Sequence, residues 1–227
     1  MANKIAIAAV GVALIAGAAF WVTRQSQDVA ITPVPGTEQT APATPVISGD
    51  VDPALLGDRT MGSPDAPVKI TEYASFTCPH CATFNETVFQ DLKKNYIDTG
   101  KVFFTYREVY FDKFGLWAGM LARCGGADRY FGFVETFYAS RDTWLASSEP
   151  AEITEALKRI GRTGGMSSEQ IDQCLNNKPL AESLVSTFQT NMAADKIEGT
   201  PSFIIDGEKF SNMSYEEFAA VLDKKLQ

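Results

Sequence analysis

Apolar and polar positions divide the chain into stretches of different period. Ile5 to Val22 is an unbroken apolar run, preceded by Lys4 and closed by Thr23-Arg24. A short basic start before an apolar stretch is an export leader. Ala16-Gly17-Ala18 and Gly17-Ala18-Ala19 offer small residues to a signal peptidase, whereas Phe20 and Trp21 suit a membrane interface. The run also matches the ~18-residue lower limit for a spanning helix. Residues 1–24 are therefore either a signal peptide or a membrane anchor. Residues 25–50, rich in Pro, Thr and Ala and without apolar period, read as a flexible linker, which tips the balance toward an anchor.

Order is expected from about Val51. The turn-rich Gly62-Ser63-Pro64-Asp65-Ala66-Pro67 leads into a β-branched strand, Val68 to Ala74. Ser75-Phe76-Thr77 bends the chain, and a helix is predicted from Cys78 to about Asp98, with Phe84, Val88, Leu92 and Tyr96 on one face. Gly100 ends it, and Val102 to Tyr106 is a second strand. A strand–helix–strand order makes a parallel pair and an α/β fold. Residues 112 to 195 read as helical, broken at Gly125-Gly126, Ser147 to Pro150, Gly164-Gly165 and near Pro179. Ser148-Glu149-Pro150-Ala151 and Ser167-Ser168-Glu169-Gln170 read as hydroxyl-capped helix starts. Ser202 to Ile205 is a short strand, Asp206-Gly207 a hairpin turn, and Glu208-Lys209-Phe210 its return. A helix from Ser214 to about Lys225 closes the chain. The expected architecture is a βαβ half (51–111) and a ββα half (196–227) separated by an inserted α-helical subdomain (112–195).

Composition narrows the function. Lys and Arg number 20 against 28 Asp and Glu, and without Lys4 and Arg24 the remainder holds 18 basic and 28 acidic residues, a balance of −10. That field repels phosphate backbones, so nucleic acid is excluded as a partner class. Outside the cytoplasm, where the leader places the domain, cysteines persist as disulfides.

The chemistry sits in Cys78-Pro79-His80-Cys81. Two thiols at i and i+3 on the first turn of a helix come close enough to form a small disulfide ring. At the helix start, unpaired N–H groups and the dipole favour an anion at Cys78. A thiol of ordinary pKa ~8.5 is only about 3% ionised at pH 7, so a downward shift of ~3 units makes it almost wholly thiolate. His80 is placed to add a cationic or hydrogen-bonding group, and Pro79 fits the first helical position, where its missing N–H costs nothing. Cys78 is thus the exposed nucleophile and Cys81 the buried resolving thiol. Zinc held by Cys78, Cys81, Cys124 and Cys174 is the competing use of the same sulfurs. Structural zinc takes close-spaced pairs or added histidines, however, and His80 is the single histidine. No metal and no cofactor beyond the dithiol is expected.

Phe76-Thr77-Cys78-Pro79-His80-Cys81 and, after a long helical insert, Gly199-Thr200-Pro201-Ser202-Phe203 resemble the active-site run and the cis-proline loop of the DsbA family, over about residues 51 to 227. The resemblance implies a thioredoxin-like fold, with residues 51–111 and 196–227 as its core. It also implies dithiol oxidation of cysteine-containing exported proteins, and reoxidation by a quinone-linked membrane partner of DsbB type. Glu72 stands six positions before Cys78, where DsbA-like proteins keep an acid beneath the active site. There it would accept a proton from Cys81, unless it is an ordinary strand-end surface carboxylate. Pro201 would follow a cis peptide bond and expose the Thr200 backbone to a substrate peptide opposite Cys78.

Cys124 and Cys174 fall in the insert, where an oxidising compartment favours a structural disulfide, worth ~4 kcal/mol for a loop of this length. Within the same chemistry, an isomerase or reductase is the alternative to an oxidase. Such isomerases carry an N-terminal dimerisation domain, and residues 25–50 are too few and too polar to form one, so a monomer is expected. A metal-handling module is the alternative from a different class.

Overall fold

The computed structural model describes residues 51–227, so the leader and linker expected within residues 1–50 lie outside the described residues. Five strands form one sheet in the order β1-β3-β2-β4-β5. The predicted strand β2 (Val68–Ala74) lies at its centre, parallel to β3 (Val102–Glu108) and antiparallel to β4 (Ser202–Ile205). β4 returns through β5 (Glu208–Ser211). Their turn has φ of 48° at Asp206 and 84° at Gly207, the left-handed pair that a two-residue hairpin demands. β1 (Arg59–Met61) was not anticipated; it pairs antiparallel with β3 and is three residues long, too short for a period to show.

The helical run after the dithiol begins one residue later than predicted, with Cys78 as N-cap of α1 (Pro79–Phe84). It continues through a π turn at Asn85–Phe89, α2 (Gln90–Leu92) and a second π turn at Lys93–Ile97. Each π turn closes i→i+5 hydrogen bonds and so inserts an extra residue into the helical run, which corrects the expected face. Phe89 and Ile97 are buried with Phe84, Leu92 and Tyr96, while Val88 is only half-buried. Phe84 meets Phe203 at 4.8 Å and Phe218 at 5.6 Å, tying α1 to β4 and to the last helix, α9 (Tyr215–Lys225). Tilted aromatic pairs of this kind add ~0.5–1.5 kcal/mol each beyond their buried area. Side chains alternate across β2, so Tyr73 turns to the other face. There it packs with Val109 and Ile197 against Phe188 and Met192 of α8 (Lys178–Ala194).

The insert comprises α3 (Lys113–Cys124), α4 (Tyr130–Ala139), α5 (Arg141–Trp144), α6 (Pro150–Thr163), α7 (Ser168–Leu175) and α8. An unpredicted break at Ser140 separates α4 from α5. The glycine pairs are more than helix stops. Gly126 and Gly165 take φ of 96° and 84°, whereas Gly125 and Gly164 each lie against the Phe133 ring, which any Cβ would approach within 2.2 Å. Ser167 makes the expected capping box with Gln170. Ser148 does not cap α6: Glu149 is its N-cap without a side-chain bond, and the Ser147 hydroxyl accepts from the Glu149 N–H instead.

α3 packs against α4, α6, α7 and α8, and one side chain ties it to the sheet. The Arg123 guanidinium grips both Glu108 carboxylate oxygens and also donates to the Leu55 and Gly57 carbonyls, with Arg123 and Glu108 only 5% and 2% exposed. Arg123→Met leaves Glu108 charged and unpaired in the interior. Its expected cost is ~3–5 kcal/mol in urea unfolding, and most of it is recovered when Glu108 is also made apolar. A loss under about 1 kcal/mol would mean that water reaches the pair.

Candidate active site

Three segments converge at the C-terminal end of β2. Ser75-Phe76-Thr77 turns the chain so that the Cys78 N–H donates to the Ser75 carbonyl at 3.1 Å, just ahead of α1. Pro79 takes the first helical position, as its fixed φ and missing donor suit. Opposite, the Thr200–Pro201 peptide bond is cis, and the Thr200 carbonyl accepts from the Cys78 thiol at 3.5 Å. Cys78, Cys81, Thr200 and Pro201 are thus brought together as the sequence suggested.

Cys78 and Cys81 are both free thiols and are placed asymmetrically. Cys78 is half-buried, and its pKa is lowered to about 5. The hydrogen bond from Cys81 is the largest cause, offset by partial burial and reinforced by the Thr200 side chain and by the backbone N–H groups of Cys81 and His80. Cys81 is fully buried, and that burial, with the neighbouring Cys78, pushes its thiol far up. The imidazole of His80 is exposed; what reaches Cys78 from His80 is its backbone N–H.

Glu72 is not a surface carboxylate. It is 2% exposed, and burial raises its pKa to about 8. It lies in mid-strand between Tyr106 and Phe203 and contributes to the upward shift of Cys81. Nearby, the Tyr106 and Tyr138 hydroxyls share a 2.7 Å hydrogen bond inside the protein.

Cys124 and Cys174 are joined by a disulfide that links the end of α3 to α7, so those two sulfurs are unavailable to a site at Cys78 and Cys81. Among the described residues, no group of three or more His, Cys, Asp or Glu side chains is placed to hold a metal ion.

Two residues beside the dithiol escaped the sequence reading. Asp112, the N-cap of α3, accepts from the Thr77 hydroxyl at 2.7 Å, and Arg141, which opens α5, donates to the Thr77 carbonyl. An N-cap aspartate is visible before an apolar run. Nothing in the sequence connects either residue to Thr77.

A dithiol at a helix start, faced by a cis-proline loop on a mixed five-stranded sheet with a helical insert, defines a DsbA-like thioredoxin architecture. Residues 55–224 match the family model described as Thioredoxin. A Rickettsia typhi relative provisionally named protein-disulfide oxidoreductase is 36% identical over 171 residues, covering 75% of this chain and 62% of that protein. The chain thus spans less than two thirds of the length of that relative. Among solved structures, α-DsbA1 of Wolbachia pipientis superposes with a TM-score of 0.69 at 30% identity, covering 74% of this chain and 90% of its own. A protein-disulfide isomerase from Novosphingobium aromaticivorans does so with a TM-score of 0.64 at 26% identity, covering 74% and 98%. The chain belongs to the thioredoxin family, as a DsbA-like member.

Proposed function

We propose that the protein is a periplasmic thiol–disulfide oxidase that transfers the Cys78–Cys81 disulfide to cysteine-containing exported proteins. A substrate thiolate attacks Cys78 Sγ, forming a mixed disulfide and expelling Cys81 as a thiolate, which takes up a proton. Glu72 is the buried acid suited to exchange that proton. A second substrate thiolate then attacks the substrate's own sulfur and expels Cys78 as a thiolate. The substrate dithiol is oxidised, the enzyme disulfide is reduced, and one proton is released with Cys78 left ionised. Pro201 and the Thr200 backbone present the substrate strand opposite Cys78. A quinone-linked membrane reoxidase of DsbB type would regenerate the disulfide. The protein would work as a monomer, soluble or tethered through residues 5–22; among the described residues, no helix is long and apolar enough to cross a membrane.

The observation that carries this reading is the opposite displacement of the two thiols. A nucleophile at about 5 is almost fully ionised at neutral pH, so the reduced form is favoured and the disulfide is readily given away. The name of the Novosphingobium neighbour favours isomerisation as the second reading. Equilibration with glutathione separates the two. An oxidase is expected to sit well above the potential of about −270 mV typical of thioredoxin, toward the −120 mV end of the scale. A value at the thioredoxin end would count against oxidation.

A further inference from the structure

We infer that Arg141, in the inserted helices, is a positioning residue for the dithiol reaction: its guanidinium holds the Thr77 carbonyl and so fixes the peptide that carries Cys78. The inference rests on Cys78 being the nucleophile. Arg141 Nε and one terminal nitrogen donate to the Thr77 oxygen at 3.0 and 2.9 Å. The other edge of the same peptide is also held, because the Cys78 N–H donates to Ser75 O at 3.1 Å. A peptide plane pinned at both edges cannot rotate without breaking a charge-assisted bond, the stronger kind.

The Thr77 side chain is fixed as well. Its hydroxyl donates to one oxygen of Asp112, whose other oxygen accepts from Phe114 N at 2.8 Å and Gly115 N at 2.9 Å. Thr77 is therefore clamped by α3 and α5, both from the insert. Two consequences follow for the reaction. The Cys78 sulfur keeps its place opposite Thr200, where an incoming sulfur must align with the bond it breaks. And the negative end of the Thr77 carbonyl is committed to a cation, so it cannot swing toward the thiolate.

Other charged and titratable groups in this neighbourhood are Asp112 on α3, His80 and Cys81 on α1, Glu86 in the helical run that continues it, and Glu72 on β2. Asp142 on α5 pairs with Arg141 at 2.6 Å but is 93% exposed, so water weakens its hold on the guanidinium charge. A cleft of about 200 Å³ between Pro79, Thr83 and Glu86 on one side and Tyr138, Arg141 and Asp142 on the other runs beside the dithiol helix. A lysine reaching the same carbonyl would offer a point charge in place of the planar fork.

The test uses Arg141→Gln and Arg141→Lys in the reduced protein. Cys78 thiolate absorbance is followed against pH, with the rate of attack on an aromatic disulfide reagent and circular dichroism measured alongside. Arg141→Gln is expected to raise the midpoint by about one unit, which below the midpoint leaves about a tenth of the thiolate and about a tenth of the rate. Arg141→Lys, with charge kept and fork lost, is expected to rise by about half as much. A folded Arg141→Gln protein with the wild-type midpoint and rate overturns the assignment. If that variant does not fold, Arg141→Lys decides alone: a raised midpoint supports the fork, and wild-type behaviour overturns it. A wild-type thiol that titrates like free cysteine sinks the proposed function itself. A low wild-type midpoint untouched by either variant sinks only the role of Arg141.

Discussion

Cys78→Ser is expected to abolish dithiol exchange, to below about a thousandth of the wild-type rate, whereas Cys81→Ser is expected to keep the first step and lose the second. The difference follows from which sulfur is reachable and ionised. A serine hydroxyl forms no sulfur–sulfur bond, so nothing replaces Cys78. At pH 7 a thiol of pKa about 5 is ~99% thiolate, against ~1% for one at 9, a factor of about 100 in attacking species. Cys81 is fully buried and held protonated, so it does not stand in as nucleophile. The Cys81→Ser variant keeps a hydroxyl donor where the thiol had contributed most to the low value of Cys78, so Cys78 stays available as a thiolate. It still attacks a disulfide substrate, but the adduct has no internal thiol to release it. Mass spectrometry should therefore find a stable mixed disulfide on Cys78 in the Cys81→Ser protein and none in the Cys78→Ser protein. Exchange surviving in Cys78→Ser with adducts on Cys81 would reverse the two roles.

How much of this was written in the sequence depends on how far apart the cooperating residues lie. β2, β4 and the Asp206-Gly207 turn were legible because each is a local decision: β-branched runs, and a turn that needs left-handed backbone. The dithiol was legible because both sulfurs lie within one helical turn. The π turns in the long helical run were not, since Val88 and Phe89 are both apolar and only packing chooses which faces inward. Arg141 reaches Thr77 across 64 residues and Asp112 across 35, separations at which no periodicity operates. The glycine pairs show the same divide. Their role as breaks is local, but the reason Gly125 and Gly164 tolerate no side chain is one ring, that of Phe133, supplied by another helix. Glu72 stood between the two cases, an acid in an apolar strand whose burial became certain only when β3 and β4 closed on either side of it.

That burial makes Glu72→Gln the substitution expected to move stability and rate in opposite directions. The folded carboxyl has a pKa of about 8, against 4.5 for its ordinary value, because burial disfavours the anion. Between those values the native state holds a proton that the unfolded chain gives up. The contribution is fully present below about 4.5 and is lost as pH rises through about 8. At pH 7 the discrepancy corresponds to about 3 kcal/mol that an uncharged isostere does not forfeit. Glu72→Gln is therefore expected to be more stable at pH 7 by up to that amount, with a flatter profile between pH 5 and 8. The measurement belongs on the oxidised protein. In the reduced protein Cys78, whose pKa is depressed, adds stability as pH rises above about 5 and masks the slope. Exchange should suffer instead, because the amide neither donates nor accepts the proton that Cys81 must trade beneath the helix. Loss of a positioned acid–base group costs on the order of a hundredfold. A Glu72→Gln protein with the wild-type pH slope in unfolding would show that water, not a dry strand, surrounds the carboxyl. With wild-type exchange at pH 7, the proton of Cys81 would have to travel by another route, and the buried Tyr106–Tyr138 hydroxyl pair, both electrostatically linked to Cys81, is the candidate.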